Sequence, residues 1–256
     1  MSELFNGLIG GSAAGLMVIV VLGLSALGFY MARSRAMASG GGDRRNLHSL
    51  PNYYGWNAAM LTAVPALGVL VIWLLAQPMM IDSAVFKTIP DSAIAEGSSR
   101  GLVMSDVRRL AAGLDVIVER GVMDAESAAT LDASTTDLRA TLAAEGVALG
   151  SAVEQPVLDA AQMYRTQSST GRFWMTVLVS AIALLAFVVS LRLATADFRA
   201  RNVVEKGILA LLILSASIAI LTTVGIVLSM LFESINFFRL HSWTDFFFGS
   251  TWAPNF

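Results

Sequence analysis

The chain has 256 residues, of which 55% are hydrophobic and 14% are charged, and its formal net charge at pH 7 is −2. Soluble domains carry about 25% charged residues, so this composition excludes an ordinary soluble protein. The basic residues form no contiguous patch, and we therefore expect no nucleic-acid partner. The sequence contains no cysteine, which excludes disulfides and thiolate chemistry.

Four runs without a charged side chain divide the chain, each at least about 18 residues long. Every run is long enough to cross about 30 Å of hydrocarbon as an α-helix. The runs cover roughly Leu8–Ala32, Trp56–Met80, Phe173–Leu191 and Ile208–Leu231. The sequence therefore predicts an all-α membrane protein with four transmembrane helices. A polar segment, 82–172, separates the second helix from the third.

Glycines recur at four-residue steps in the first apolar run, at Gly7, Gly11 and Gly15, with Gly23 further along the same face. Small residues at this spacing let two membrane helices approach closely. The pattern predicts a packing face whose partner is the second helix, another helix of the same protein or another copy. The run is too long for the apolar region of a signal peptide and is followed at once by arginines, so we interpret it as an uncleaved anchor.

Two other positions are candidates for special roles in the apolar helices. Pro65 removes one backbone donor, which predicts a kink about one turn toward the N-terminus of the second helix, and Thr62 is expected to help satisfy the freed carbonyl. Glu233 lies about one turn past the fourth run. An acid inside the membrane is a functional candidate, whereas an acid at the interface is usually hydrated.

Basic residues in two short loops predict the orientation of the chain. The loops 33–55 and 192–207 each carry four Lys or Arg residues. The positive-inside rule places both loops in the cytoplasm. The sequence therefore predicts a multi-pass protein of a bacterial inner membrane, with segment 82–172 in the periplasm.

Segment 82–172 shows helical patterns throughout and predicts a small helical bundle outside the membrane. Its first helix opens with Ser105 as a cap, ends at Gly121 and has one apolar face, formed by Val107, Leu110, Ala111, Leu114, Ile117 and Val118. A second helix is predicted from Asp124 to Gly146. A third begins at Ser151 and Glu154 with a capping-box spacing and has Pro156 in its first turn.

No residue pattern indicates catalysis, and we predict that the chain is not an enzyme and holds no cofactor or metal. The glycines of "GGGDRRN" lack the lysine and hydroxyl residue of a phosphate-binding loop. The two histidines, His48 and His241, are expected on opposite sides of the membrane.

The C-terminal 55 residues, Asn202–Phe256, carry more specific signals. They contain Thr222-Thr223-Val224-Gly225-Ile226-Val227, then Phe232-Glu233, Phe237-Phe238, Asp245-Phe246 with Phe248-Gly249, and finally Trp252-x-Pro254. This tail resembles the first core helix, and the extracytoplasmic segment after it, of the permease subunit in bacterial phosphate-specific (Pst-type) ABC importers. Residues 1–200 resemble the N-terminal extension of long family members by placement and general character.

The resemblance implies the N-terminal part of a permease for inorganic phosphate, with the transport core beyond Phe256. Its partners would be a second permease subunit, an ATPase dimer that hydrolyses ATP and a periplasmic phosphate-binding protein. The chain itself would anchor the complex and dock partners. The implied organisation is an extension with two helices and a basic loop (1–81), a helical extracytoplasmic domain (82–172), a third helix and loop (173–201) and the first core helix with the start of its outer segment (202–256).

Two alternative functions belong to other classes. A helical external domain between membrane helices is typical of a sensor's input module, although only about 16 residues separate the third apolar run from the fourth. A glycine face that grips a partner helix would suit a free-standing membrane assembly factor.

Overall fold

The computed structural model describes residues 13–90, 100–132, 154–240 and 243–249, and all regular structure in this part of the chain is helical. The α-helices described are α1 (Ala13–Ser39), α2 (Pro51–Phe86), α3 (Arg100–Glu119), α4 (Ala125–Ala129), α5 (Gln155–Leu193), α6 (Ala200–Leu240) and α7 (Trp243–Phe248), and a short 3-10 helix lies at Arg44–Asn46. Four of them, α1, α2, α5 and α6, are long and apolar enough to cross a membrane. The predicted all-α class with four such helices is confirmed.

Helices α1, α2 and α5 form a bundle in which α2 runs antiparallel to the other two. The buried positions of α1 recur at three- and four-residue steps, as expected for one helix face, and are Val21, Ser25, Gly28, Ala32 and Ala36. Most of them are small, so the helix axes approach closely. Large side chains on the remaining surface of these helices point outward, which is the arrangement a lipid environment favours.

Helices α2 and α5 continue well beyond their apolar runs. They have 36 and 39 residues, or about 54 and 58 Å at 1.5 Å per residue, against about 30 Å of hydrocarbon. Neither helix breaks at the expected domain boundaries near 81/82 and 172/173. The polar segment therefore begins and ends as extensions of two membrane helices.

Helix α3 packs against these extensions and builds a second hydrophobic core. Five of the six residues of its predicted apolar face are buried in this core, Val107, Leu110, Ala111, Leu114 and Ile117, and Val118 is half-buried. From α2 and α5 the core receives Ile81, Val85 and Leu158. This cluster lies at the end of the bundle opposite to the two short loops.

The predicted limits of α3 are correct at one end only. The helix ends at Glu119 and is followed by Gly121, whose φ of 71° is the left-handed conformation that glycine adopts most readily after a helix. The predicted cap at Ser105 is wrong, because α3 begins at Arg100 and the Ser105 hydroxyl donates to the carbonyl of Leu102 inside the helix (2.7 Å). Serine is as compatible with this local hydrogen bond as with a helix start, so its presence alone does not mark a cap.

The helix predicted from Asp124 to Gly146 is interrupted at residues 130–132. Helix α4 ends at Ala129, and residues 130–132 are not helical. The N–H of Thr130 donates to the Ser127 carbonyl (3.2 Å), an i to i−3 bond that closes the last turn of α4. Residues 133–153, including Ser151, lie outside the described part. Glu154 precedes α5 without a side-chain capping bond, and Pro156 occupies the first turn as predicted.

Candidate functional site

A close approach in the bundle joins α1 to α2 at Gly55. A Cβ atom placed on Gly55 would lie 2.7, 2.8 and 2.9 Å from three carbons of the Phe29 ring. The ring also makes an edge-on contact with Trp56, with 5.3 Å between the ring centroids. One of the three carbons is Cγ of Phe29, which lies on the axis about which the ring rotates. Rotation of the ring therefore cannot relieve the clash. Gly55 is therefore required for this packing.

Buried hydroxyl groups in the bundle differ in whether they have a hydrogen-bond partner. The Ser25 hydroxyl of α1 donates to the Ala59 carbonyl of α2 (2.9 Å), which links the two helices. Thr62 is fully buried, and its hydroxyl has no hydrogen-bond partner among the described residues. The predicted role of Thr62 in satisfying a carbonyl freed by Pro65 is therefore wrong. Helix α2 continues through both Pro65 and Pro78, and a kink at Pro65 stays a prediction.

The two short basic loops meet at one end of the bundle. The backbone N–H of His48 and the hydroxyl of Tyr54 both donate to the Ala196 carbonyl, at 2.9 and 3.0 Å. The N–H of Arg201 donates to the Ser49 hydroxyl (3.2 Å). Tyr54 is buried between these segments. The loops therefore lie on the same side of the four long helices.

Ion pairs stabilise the opposite end, around α3. Arg165 of α5 binds Asp115 of α3 at 2.6 Å, and Arg108 of α3 pairs with Asp82 of α2. Arg165 is the most protected member, with 15% of its side chain exposed. These pairs tie α3 to both extensions, in addition to the apolar core.

A capped turn follows α3. Asp124 accepts hydrogen bonds from the hydroxyl and the N–H of Ser127, and these bonds lower the pKa of its carboxyl group. The carboxylate also suits the helix N-terminus, where the backbone N–H groups need acceptors.

A polar contact joins α2 and α5 between the two ends. The Gln77 side chain accepts a hydrogen bond from the Trp73 indole (2.7 Å) and donates to the Ser168 carbonyl (3.3 Å). A Cβ on Gly171 would lie 2.5 Å from Nε2 of Gln77. Gly171 thus leaves the space in which the amide reaches the backbone of α5.

Helix α6 differs from the other long helices because it is exposed along almost its whole length. Only its first two turns meet α2, where Ala200 and Val204 are buried and Gly207 faces Met60. Every residue from Ile208 to Leu240 is exposed within the described structure, including Glu233. Four phenylalanines of α6 and α7 contact one another at its far end, Phe237, Phe238, Phe246 and Phe247.

The predicted glycine face falls largely on residues that are not described. Gly7 and Gly11 lie outside the described part, and Gly15 is half-buried near the start of α1. Gly23 does not pack against another helix, since no atom lies within 4 Å of a Cβ placed there. The close-packed face of α1 instead runs through Ser25, Gly28, Ala32 and Ala36. Its signal was present in the sequence as small residues at three- and four-residue steps.

The described residues contain no group of three or more His, Cys, Asp or Glu side chains that could hold a metal ion. A family model described as "Phosphate ATP-binding cassette transporter" matches residues 17–189, about two thirds of the 256 residues. The match covers most of α1, all of α2 to α4 and most of α5, and it ends before α6. Neither the curated proteins nor the solved structures compared with the chain give a match.

Proposed function

Because the chain belongs to the phosphate ATP-binding cassette transporter family, we propose that it is the N-terminal portion of the inner-membrane permease subunit of an ATP-driven importer of inorganic phosphate. The family match carries this proposal. Four helices long and apolar enough to span a membrane support it. The C-terminal resemblance to a Pst-type permease supports the same function from residues 202–256, which do not overlap the match.

In this role the chain does no chemistry of its own. A partner ATPase dimer supplies the energy, a second permease subunit completes the path, and a periplasmic phosphate-binding protein delivers the substrate. The three-helix bundle anchors the assembly. Helix α6 is the candidate contact with the translocation core, since its apolar surface from Ile208 to Leu231 has no cover in the described structure.

Phosphate uptake tests the function directly. Disruption of the gene in its native host should abolish high-affinity uptake of radiolabelled phosphate from micromolar medium and leave sulfate uptake unchanged. Loss of another oxyanion's uptake would overturn the substrate. Normal uptake of every oxyanion, with a changed transcriptional response to phosphate, would favour a sensor. The host could instead make complete permease subunits without this chain. Loss of their complex on disruption of the gene would then favour an assembly factor.

The proposed orientation puts the paired loops in the cytoplasm and α3 in the periplasm. The hydrogen bonds from His48 and Tyr54 to Ala196 support a common side for the two loops, and their basic residues favour the cytoplasm. The chain has no cysteine, so single substitutions report on topology without background. Ser127→Cys should react with a membrane-impermeant maleimide in intact spheroplasts, and Gly41→Cys only after lysis. The reverse pattern would invert the topology.

The proposed docking role of segment 82–172 requires an exposed face on α3. Arg109 is exposed on this helix, whereas Leu114 is fully buried in its core. If α3 receives the binding protein, Arg109→Glu should lower uptake while the complex still assembles. If α3 only braces α2 and α5, Arg109→Glu should be silent. Leu114→Ala, which removes buried apolar contacts, should reduce assembly.

A further inference from the structure

A cleft opens between α1 and α5 at the end of the bundle where the two basic loops meet. Its volume is about 410 Å³. Most of its lining comes from the last turns of α1, and the lining residues are Tyr30, Met31, Ser34, Arg35, Ala38 and Leu191. None of these described residues is acidic. The cleft therefore combines apolar side chains with hydroxyl donors and one guanidinium group.

The polar groups of the cleft are open to a ligand. Arg35 is exposed and forms no ion pair with the described residues, and the hydroxyl groups of Tyr30 and Ser34 form no hydrogen bond with them. An arginine can donate two parallel hydrogen bonds to one phosphate group, and hydroxyl groups can donate others. This set of donors suits a phosphodiester.

The cleft lies at the level where lipid headgroups begin. Met31 and Leu191 stand at the ends of the charge-free runs of α1 and α5. Arg35 follows Ala32, the last residue of the first run, by a rise of about 4.5 Å along the helix. The polar layer on each side of a bilayer is about 5–7 Å thick. With α1 and α5 across a membrane, Arg35 lies among the headgroups, and Met31 and Leu191 lie at the edge of the hydrocarbon.

Charge at this end of the bundle favours an anionic headgroup. Loops 33–55 and 192–207 together carry eight Lys or Arg residues and three acids, and one of the acids, Glu205, is paired with Arg201 at 2.6 Å. The hydrogen bonds to Ala196 hold the loops together, so their charges act on one region. Basic residues at this level attract anionic lipids, and the same excess repels the ammonium group of a zwitterionic headgroup. The negative ends of the helix dipoles oppose an anion, but only within the last turn.

We propose that the cleft between α1 and α5 binds an anionic phospholipid, with its phosphate at Arg35, Ser34 and Tyr30 and the start of an acyl chain beside Met31 and Leu191. A soluble partner would meet the exposed basic loops before it reached this level, whereas a lipid is already there. The bound lipid would join the ends of α1 and α5 and hold the basic loops at the membrane surface. The site does not depend on what the transporter carries. It requires that α1 and α5 span a membrane, for which both are long and apolar enough.

Competition between two lipids in native mass spectrometry of the full chain tests the site. The protein in mild detergent is mixed with equal amounts of phosphatidylglycerol and phosphatidylethanolamine, and the wild type should retain one phosphatidylglycerol in preference. Arg35→Gln removes the charge from the cleft at an exposed position. The preference should then fall at least about fivefold, which corresponds to about 1 kcal/mol for one basic residue at an anionic membrane surface. A wild type without preference would overturn the proposal.

Arg33→Gln is the matched control. Arg33 is also exposed and belongs to the same helix, but it lies about 160° around the axis from Arg35 and is not among the residues that line the cleft. An α-helix is about 10–12 Å across. Charges more than about 8 Å apart are largely screened at an ionic strength of about 0.15 M, so Arg33→Gln should change the preference by less than about twofold. Equal losses in the two variants would show a response to the net charge of the loops and would overturn the site.

Two further measurements identify the occupant. Inorganic phosphate and glycerophosphoglycerol carry the anion without acyl chains, and neither should displace bound phosphatidylglycerol when added in large excess. Displacement by either would show that the cleft takes a soluble anion and would overturn the lipid. The complex with the other permease subunit should also retain the lipid. Its loss there in wild type would overturn the proposal by identifying a protein as the occupant.

Discussion

Substitution of Gly55 by alanine should separate α1 from α2. The added methyl group would lie 2.7 Å from the nearest carbon of Phe29, well inside the usual contact distance of about 3.5–4.0 Å. Overpacking of this kind costs about 1–3 kcal/mol. Since each kcal/mol shifts Tm by about 2–4 °C in a chain of this size, we expect Gly55→Ala to lower the Tm by several degrees. Thermal unfolding in detergent, followed by circular dichroism, measures the shift.

Gly68 provides the matched control, because it lies on the same helix and no atom is within 4 Å of a Cβ placed there. Gly68→Ala should be neutral or slightly stabilising, by up to about 1 kcal/mol, as alanine is the better helix former. Phe29→Ala should reduce the effect of Gly55→Ala in the double variant, which a double-mutant cycle detects. Equal stability of Gly55→Ala and Gly68→Ala would refute the close approach.

Three further outcomes are expected from the described contacts. Thr62→Val keeps the shape of the buried side chain and removes its unpaired hydroxyl, which costs about 1–3 kcal/mol. The substitution should therefore raise the Tm. A lowered Tm would mean that the hydroxyl has a partner. Gln77→Leu removes the hydrogen bonds to Trp73 and Ser168 and should destabilise by about 0.6–1.7 kcal/mol, the range for hydrogen bonds between membrane helices. The cap of α4 should respond to pH: Asp124 has a lowered pKa in the folded state, so its contribution is present above the unfolded pKa and is lost as pH falls through the folded pKa. The protection factor of the Ser127 amide against hydrogen exchange should fall over that interval in the wild type, whereas in Asp124→Asn, which keeps a capping oxygen but has no titrating group, it should not depend on this titration.

The sequence predicts the long helices well because lipid requires about 20 apolar residues in an uninterrupted run. It does not predict the end of α2, and it predicts the helix that starts near Glu154 and Pro156 as separate from the third apolar run, although α5 is continuous. Hydropathy marks the part of α2 and α5 that lies in hydrocarbon, whereas the helices themselves continue to Phe86 and begin at Gln155, supported by packing against α3. Apolar spacing likewise does not show the break after Ala129 in the helix predicted from Asp124.

The packing contacts are harder to predict than the helices. The spacing of glycines predicts a packing face at the start of α1. The requirement for glycine at Gly55, in contrast, arises from a ring on another helix. The same is true of Gly171, which matters because of Gln77, 94 positions away in the sequence. Such pairs leave no mark in either helix alone, since the constraint belongs to the distance between them.

The family match and the C-terminal resemblance cover different parts of the chain, and the structure limits how they can be joined. Helix α6 meets the bundle only through its first two turns and the loop that receives the hydrogen bonds from His48 and Tyr54. The Gly207 contact is with the flexible end of Met60, which yields easily and gives little rigidity. In the proposed permease, this junction would therefore set the position of the extension relative to the transport core, while the apolar length of α6 packs with the core.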